Sequence, residues 1–148
     1  MAQLIVVNAN VRYKVSRKET LATLRSVLRN ERSYYRWVSV VFINDKKSRQ
    51  LNRMYLAHDY PTDVLAFRLD RRALLEGEVY VNLDRARGQA NKYGVPFRNE
   101  VARLVIHGLL HLLGYRDTTA PSRLKMRKKE EKYLQGVSKR TEHARKNH

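Results

Sequence analysis

His107-Gly108-Leu109-Leu110-His111-Leu112-Leu113-Gly114-Tyr115-Arg116-Asp117 is the stretch from which the rest of the chain can be read. A helix turns about 100° per residue, so His107 and His111 stack on one face a single turn apart, where both imidazoles can reach one cation. Gly114 suits the left-handed residue that ends a helix, and a chain folded back there can return Asp117 as a third ligand. Three protein ligands around zinc leave the fourth tetrahedral position for water, as catalytic rather than structural sites do. The surroundings support this. The helix is otherwise strongly apolar, so two buried imidazoles need a partner, and Gly108 allows another element to approach closely.

Working outward, Pro96 marks a break before a long helix over residues 98–113, whose buried stripe is Val101, Leu104, Val105, Leu109 and Leu112. Downstream, Pro121 suits the first turn of another helix over residues 122–135, amphipathic through Leu124, Met126 and Leu134. From Ser138 the apolar periodicity ends. Lys139, Arg140, Arg145 and Lys146 read as a basic tail, expected to be disordered, so the domain is expected to occupy residues 1–137 and the tail residues 138–148.

Toward the amino terminus, residues 3–8 form a short β-branched strand. Ser16 and Glu19 match a capping box opening a helix over residues 17–30. Trp37 to Ile43 is too apolar for a half-exposed strand and is expected centrally in the sheet. Asn44 and Asp45 offer a cap for a helix carrying Leu51 and Tyr55 inward, and residues 58–63 form a polar loop around Pro61. Residues 64–69 and 78–83 read as a hairpin-like pair of strands, followed by a helix capped by Asp84 and stopped at Gly94. The expected fold is a single α+β domain: a small mixed sheet of about four strands covered by about five helices, with the histidine helix beneath a metal cleft.

The chain has 148 residues, enough to bury a core, and no cysteine, which fits a reducing compartment and makes the cytoplasm the expected location. No segment approaches the roughly 20 apolar residues of a membrane helix, so no membrane partner is expected. Its 31 Lys and Arg against 14 Asp and Glu leave a formal charge of +17. Such self-repulsion is best understood if an anionic partner neutralises it, and nucleic acid leads because phosphate contacts release condensed counterions.

Two other chemistries can be weighed against this stretch. The zinc-protease signature places Glu directly after the first histidine as general base, whereas Gly108 stands there, which argues against peptide hydrolysis by that route. Two histidines and a carboxylate also match the facial triad of non-haem iron oxygenases, a reading that leaves the positive charge without a use.

Residues 107–115 resemble the signature of the YbeY family of metal-dependent endoribonucleases and rRNA maturation factors, His-Gly-x-x-His-Leu-x-Gly-Tyr. A second block, Leu51-Asn52-Arg53-Met54-Tyr55 followed by Asp59-Tyr60-Pro61-Thr62-Asp63-Val64-Leu65-Ala66-Phe67, is similar to another family motif, with Gly77-Glu78-Val79 between the two. The resemblance spans roughly residues 36–134. It implies cleavage of single-stranded RNA in ribosome biogenesis, including 16S rRNA 3′-end processing, with the small ribosomal subunit and its proteins as partners. It also implies His107, His111 and Asp117 as ligands of one zinc ion.

Two positions depart from the family pattern. Asp117 stands where the family has a third histidine; its charge makes the metal less electrophilic and brings manganese or iron into competition. Leu56 stands where the family usually has an arginine, which could clamp phosphate or stabilise developing charge. Arg53 and Arg68 are the candidate RNA contacts, and His58 is another nearby polar group. Tyr115, like Tyr55 and Tyr60, could stack on bases, while Asp63 reads first as a turn or cap residue. No residue is singled out as general base. The alternative function is a non-catalytic ribosome-assembly or RNA-binding factor in which the metal acts as a clamp.

Overall fold

The structure is a computed structural model and describes residues 1–70 and 74–146, with side chains to Arg140. Nine elements follow in the order β1 (Gln3–Asn8), α1 (Arg17–Asn30), β2 (Tyr35–Ile43), α2 (Asp45–Leu56), β3 (Val64–Arg68), β4 (Leu75–Asn82), α3 (Leu83–Tyr93), α4 (Phe97–Leu112) and α5 (Ala120–Lys146). The sheet has the order β1-β2-β4-β3. β1, β2 and β4 run parallel, and β3 is antiparallel to β4, pairing Val64 with Val81 through to Arg68 with Gly77. The α+β architecture and the hairpin-like pair of strands are as the sequence predicts.

Period-two alternation divides the strands between two apolar clusters. Val38, Val40, Phe42, Val79 and Val81 join Leu24, Leu28, Leu104 and Leu109 from α1 and α4 in the main core. Ile43 and Leu65 face the other way, toward Leu51 of α2. β2 therefore packs on both faces, fully on one and partly on the other, which is why its run is mostly apolar.

α4 is the central helix, and it lies unusually close to the sheet. A methyl group added at Gly108 would overlap Val79 Cγ1 and come within 2.9 Å of Val64 Cγ1. At Gly77 it would meet the Leu112 side chain at 2.9 Å and the Phe67 carbonyl at 3.0 Å. Two glycines thus set the helix-to-sheet spacing and bring the histidine face of α4 up to the β3 edge.

Several local expectations are corrected. Tyr55 is 61% exposed, because Phe67 and Tyr80 already fill the face beside Leu51 and Tyr55 packs on Phe67 from outside, their centroids 5.3 Å apart. α3 is capped by Asn82, which accepts from the Asp84 and Arg85 amides, while Asp84 accepts from the Asp45 amide and ties α3 to α2. On α5 Leu124 is exposed, and the buried stripe is Met126, Glu130, Tyr133 and Val137. That stripe keeps its register at Arg140, which donates to Thr23 Oγ1 at 3.1 Å. With no Pro or Gly after Gly136 to break it, the helix continues to Lys146. Residues 138–146, expected as a disordered tail, are therefore helical backbone. Residues 147–148 of that tail lie outside the described residues.

Candidate metal centre

The turn after α4 is a Schellman motif. Leu113 ends the helix, Gly114 takes φ 98°, and the Gly114 and Tyr115 amides donate to the His111 and Leu110 carbonyls at 3.0 Å each. Reversed there, the chain brings Asp117 back over the face that carries the histidines. Asp117 Oδ2 lies 3.4 Å from both His107 Nε2 and His111 Nε2, and the two Nε2 atoms are 3.0 Å apart. A tetrahedron with arms of about 2.05 Å has edges of about 3.35 Å, so this triangle matches the donor spacing of a zinc-sized ion. The three residues meet as a group able to hold a metal, each half-buried.

Both ring orientations are set from behind. His107 Nδ1 lies 2.9 Å from Glu130 Oε2, and His111 Nδ1 lies 3.1 Å from the Tyr115 carbonyl. Each outer partner accepts a proton from Nδ1, which leaves both Nε2 lone pairs directed at Asp117 and at each other. Two lone pairs and a carboxylate at such distances repel unless a positive charge sits among them. The donor set fits a divalent cation.

Glu130 belongs to a buried chain of charges that sequence reasoning missed. Glu130 and Glu100 are both nearly inaccessible, and Arg103 lies between them, bonded to both oxygens of Glu100 at 2.5 and 2.8 Å and to Glu130 at 3.3 Å. Glu100, Arg103, His107 and His111 follow at spacings of three, four and four, a polar ridge on one face of an apolar helix. That ridge was a legible signal for Glu100 and Arg103. Burial is the strongest influence on His107 and opposes its charging, yet the Glu130 hydrogen bond and the fields of Glu130, Asp117 and Asp63 outweigh it, so its pKa stands above the ordinary value.

Opposite this helix, a cleft of about 470 Å³ is lined by residues 62–68, Leu56, His107, His111, Leu112 and Asp117. The loop forming its rim is clamped by α2 residues of the second sequence block. Ser48 Oγ bonds both the amide and the carbonyl of Thr62 at 3.0 Å, and the fully buried Asn52 reaches Thr62 Oγ1 at 3.2 Å. Asp63 faces the cleft, where its carboxylate accepts from Gln89 at 3.2 Å. Leu56 contributes an apolar wall.

The other candidates fall at different places. Arg53 is exposed and pairs with Asp59, whose carboxyl hydrogen bonds from Arg49 and Arg53 hold far below the usual range. His58 stacks on Tyr60, their rings 5.0 Å apart. Neither Arg53 nor His58 lines the cleft. Arg68 does, with Nη1 donating to the Leu112 carbonyl at 3.1 Å. Tyr115 donates its hydroxyl to Glu31 at 2.5 Å and lies outside the cleft, in an adjoining depression. No helix of the described residues is long and apolar enough to cross a membrane.

Comparison with known proteins gives the chain its family. Residues 6–138 match the family model described as Endoribonuclease YbeY. A curated protein of that name from Chloroherpeton thalassium is 35% identical over 130 residues, covering 88% of this chain and 92% of its own. Another, from Salinibacter ruber, is 39% identical over 135 residues, covering 82% and 86%. The solution structure of a Thermotoga maritima protein superposes with a TM-score of 0.71 at 25% identity, covering 96% of this chain and 93% of that one. A family model spanning most of the chain, relatives matched nearly end to end and a shared fold lead to one conclusion: the chain belongs to the YbeY endoribonuclease family.

Proposed function

We propose that the protein is a metal-dependent endoribonuclease that cleaves single-stranded RNA in ribosomal RNA maturation, including the 3′ end of 16S rRNA. The observation that carries this reading is the convergence of His107 Nε2, His111 Nε2 and Asp117 Oδ2 at the floor of an open cleft. Family membership and the +17 charge support an RNA substrate. The expected setting is the cytoplasm, with the small ribosomal subunit and its proteins as partners.

His107, His111 and Asp117 would hold the ion, one per chain. Zinc is the first choice, and the carboxylate keeps manganese and iron in contention. A bound divalent ion supplies Lewis acidity, which acidifies water and polarises a phosphoryl oxygen. The chain's own residues do the rest. Glu130 and the Tyr115 carbonyl keep each imidazole in the tautomer that offers Nε2. Asp63, a carboxylate on the cleft wall, is placed to accept a proton. Arg68 reaches the same wall and can bind a phosphate oxygen through its guanidinium. Arg53 is the second RNA contact proposed, outside the cleft, where it would have to exchange Asp59 for phosphate.

Leu56 favours a second reading, a non-catalytic ribosome-assembly factor that binds RNA around a structural metal, because its position in the cleft lacks the arginine of the family pattern. Elemental analysis and an RNA cleavage assay with and without chelator separate the two. The nuclease reading expects about one equivalent of transition metal, cleavage abolished by chelator, and His111→Ala falling to the chelated level. RNA binding without any metal-dependent cleavage would leave the assembly factor.

A further inference from the structure

The depression beside the cleft has no role in the account above. Its volume is about 600 Å³, larger than the cleft, and its polar lining includes Arg68, Tyr115, Arg116, Ser122 and Lys125. Arg68 lines both hollows. Among the described residues that line it the only carboxylate is Glu31, and it is already satisfied: Tyr115 and Tyr133 donate their hydroxyls to it and Lys129 Nζ lies 3.0 Å away. Burial raises the Glu31 pKa, but these donors outweigh it and keep the group ionised. With Glu31 matched by Lys129, the charges of Arg68, Arg116 and Lys125 remain uncompensated within the depression.

The state of Arg68 gives a second observation. Its Nη1 is anchored on the Leu112 carbonyl at 3.1 Å, the last turn of the histidine helix, whereas its Nε is buried and has no hydrogen-bond partner among the described residues. A buried guanidinium N–H left unpaired is unfavourable, and a ligand oxygen would relieve it once the side chain turned that edge toward either hollow. Planar two-point donation through Nε and a terminal nitrogen is how guanidinium groups bind phosphate. The lining also offers a hydroxyl, Ser122, and an aromatic ring, Tyr115, with the Lys125 ammonium 5.4 Å from its centroid.

We propose that this depression is a phosphate subsite for the RNA strand on one side of the metal centre, with Arg68 as the shared wall between the strand's reacting and neighbouring phosphates. A linear polyanion suits two cationic hollows joined by one guanidinium, because successive phosphates fill them in turn. In this arrangement Arg68 also supplies the cleft with the positive charge that Leu56 does not. The subsite rests on the reading of the cleft as an RNA site, and its test is chosen to fail separately from that reading.

The test uses the full-length, metal-loaded chain and Arg116→Ala/Lys125→Ala, both residues being exposed, with thermal melting to confirm folding. Fluorescence anisotropy with a labelled single strand, methylated at its 2′ oxygens to resist hydrolysis, gives affinity against salt for a dinucleotide and for a longer oligonucleotide. The double variant is expected to bind the longer strand about tenfold more weakly, with the log–log salt slope reduced by about 1.4 for two lost phosphate contacts, and to bind the dinucleotide as before. Arg68→Ala should weaken both strands, and Arg68→Lys should restore only part of the loss. Unchanged affinity and slope for the longer strand would overturn the subsite, while cleavage of unmodified RNA by the same preparation keeps the nuclease reading. The expected slope change without any cleavage by wild-type protein keeps the subsite and overturns the nuclease. No binding of single-stranded RNA by wild-type protein overturns both.

Discussion

The two walls of the cleft are built on opposite principles. On the α4 and α5 side, the two buried carboxylates behind the histidines are each answered by a fixed partner: Glu100 and Glu130 hold the half-buried Arg103, and Glu130 holds His107. On the α2 and β3 side, the wall that faces the cleft is largely apolar, with Leu56, Val64, Leu65 and Phe67, and the arginines of α2 turn outward to Asp59. The difference teaches where precision resides. Ionic contacts in a low-dielectric interior resist exchange with water and fix geometry, whereas exposed pairs are screened and contribute little.

The most severe way to break this comparison is at the seam between the walls. Gly108→Ala forces a methyl group onto Val79 and Val64, displacing α4 from the sheet. Overpacking of this kind costs about 1–3 kcal/mol, and because both obstructing side chains are β-branched and stiff at χ1 the loss should lie at the upper end, read from denaturant unfolding. Metal affinity should fall with it.

Next comes the buried chain itself. Glu130→Gln keeps the shape but removes the charge that holds His107 and one partner of Arg103. Metal affinity, measured by competition with a chelating dye, should drop about 10- to 100-fold. An affinity equal to wild type would mean the helix wall is no better organised than the loop wall.

Two depressed carboxylates then offer a contrast in pH. Glu31 sits among Tyr115, Tyr133 and Lys129 with a pKa below its ordinary value. The unfolded chain therefore takes up the proton first as pH falls below about 4.3, and the stabilisation, present above that pH, is lost as pH drops through the folded value. Glu31→Gln should flatten this acid limb in thermal melts. Asp59, also depressed but fully exposed, should make a smaller contribution that fades with added salt.

The smallest effect belongs to Arg53→Ala, which removes one exposed contact to Asp59 and leaves Arg49 in place. Denaturant unfolding should show no resolvable change in stability. Affinity for single-stranded RNA should fall only by the share of one phosphate contact. A large loss would place Arg53 among the main RNA contacts and make the outer rim part of the site.

Much of this was legible in the chain because its signals are local. The spacing of His107 and His111, the turn at Gly114 and the return of Asp117 depend on helix geometry and on glycine at positive φ, so a group able to hold a metal could be read without knowing the fold. The largely apolar run of β2 and the Asn44 cap were equally local. Tyr55 and Leu124 misled because their spacing fits a buried stripe, while their exposure depends on which neighbours have already filled the face. The length of α5 escaped the sequence for the converse reason: beyond Val137 the stripe that anchors the helix continues through a polar residue, Arg140, so it did not look apolar.

What lies far apart in sequence could be settled only by packing. Glu130 meets His107 across 23 residues, and Arg68 meets Leu112 across 44. The residue types for both contacts were visible, but hydrogen bonds reach only about 3 Å, and nothing in the chain's local pattern says which elements come that close. The ligand triangle was therefore written in one short stretch, whereas its orientation, its buried support and the neighbouring cationic hollow arise from α4 resting against the sheet at Gly108.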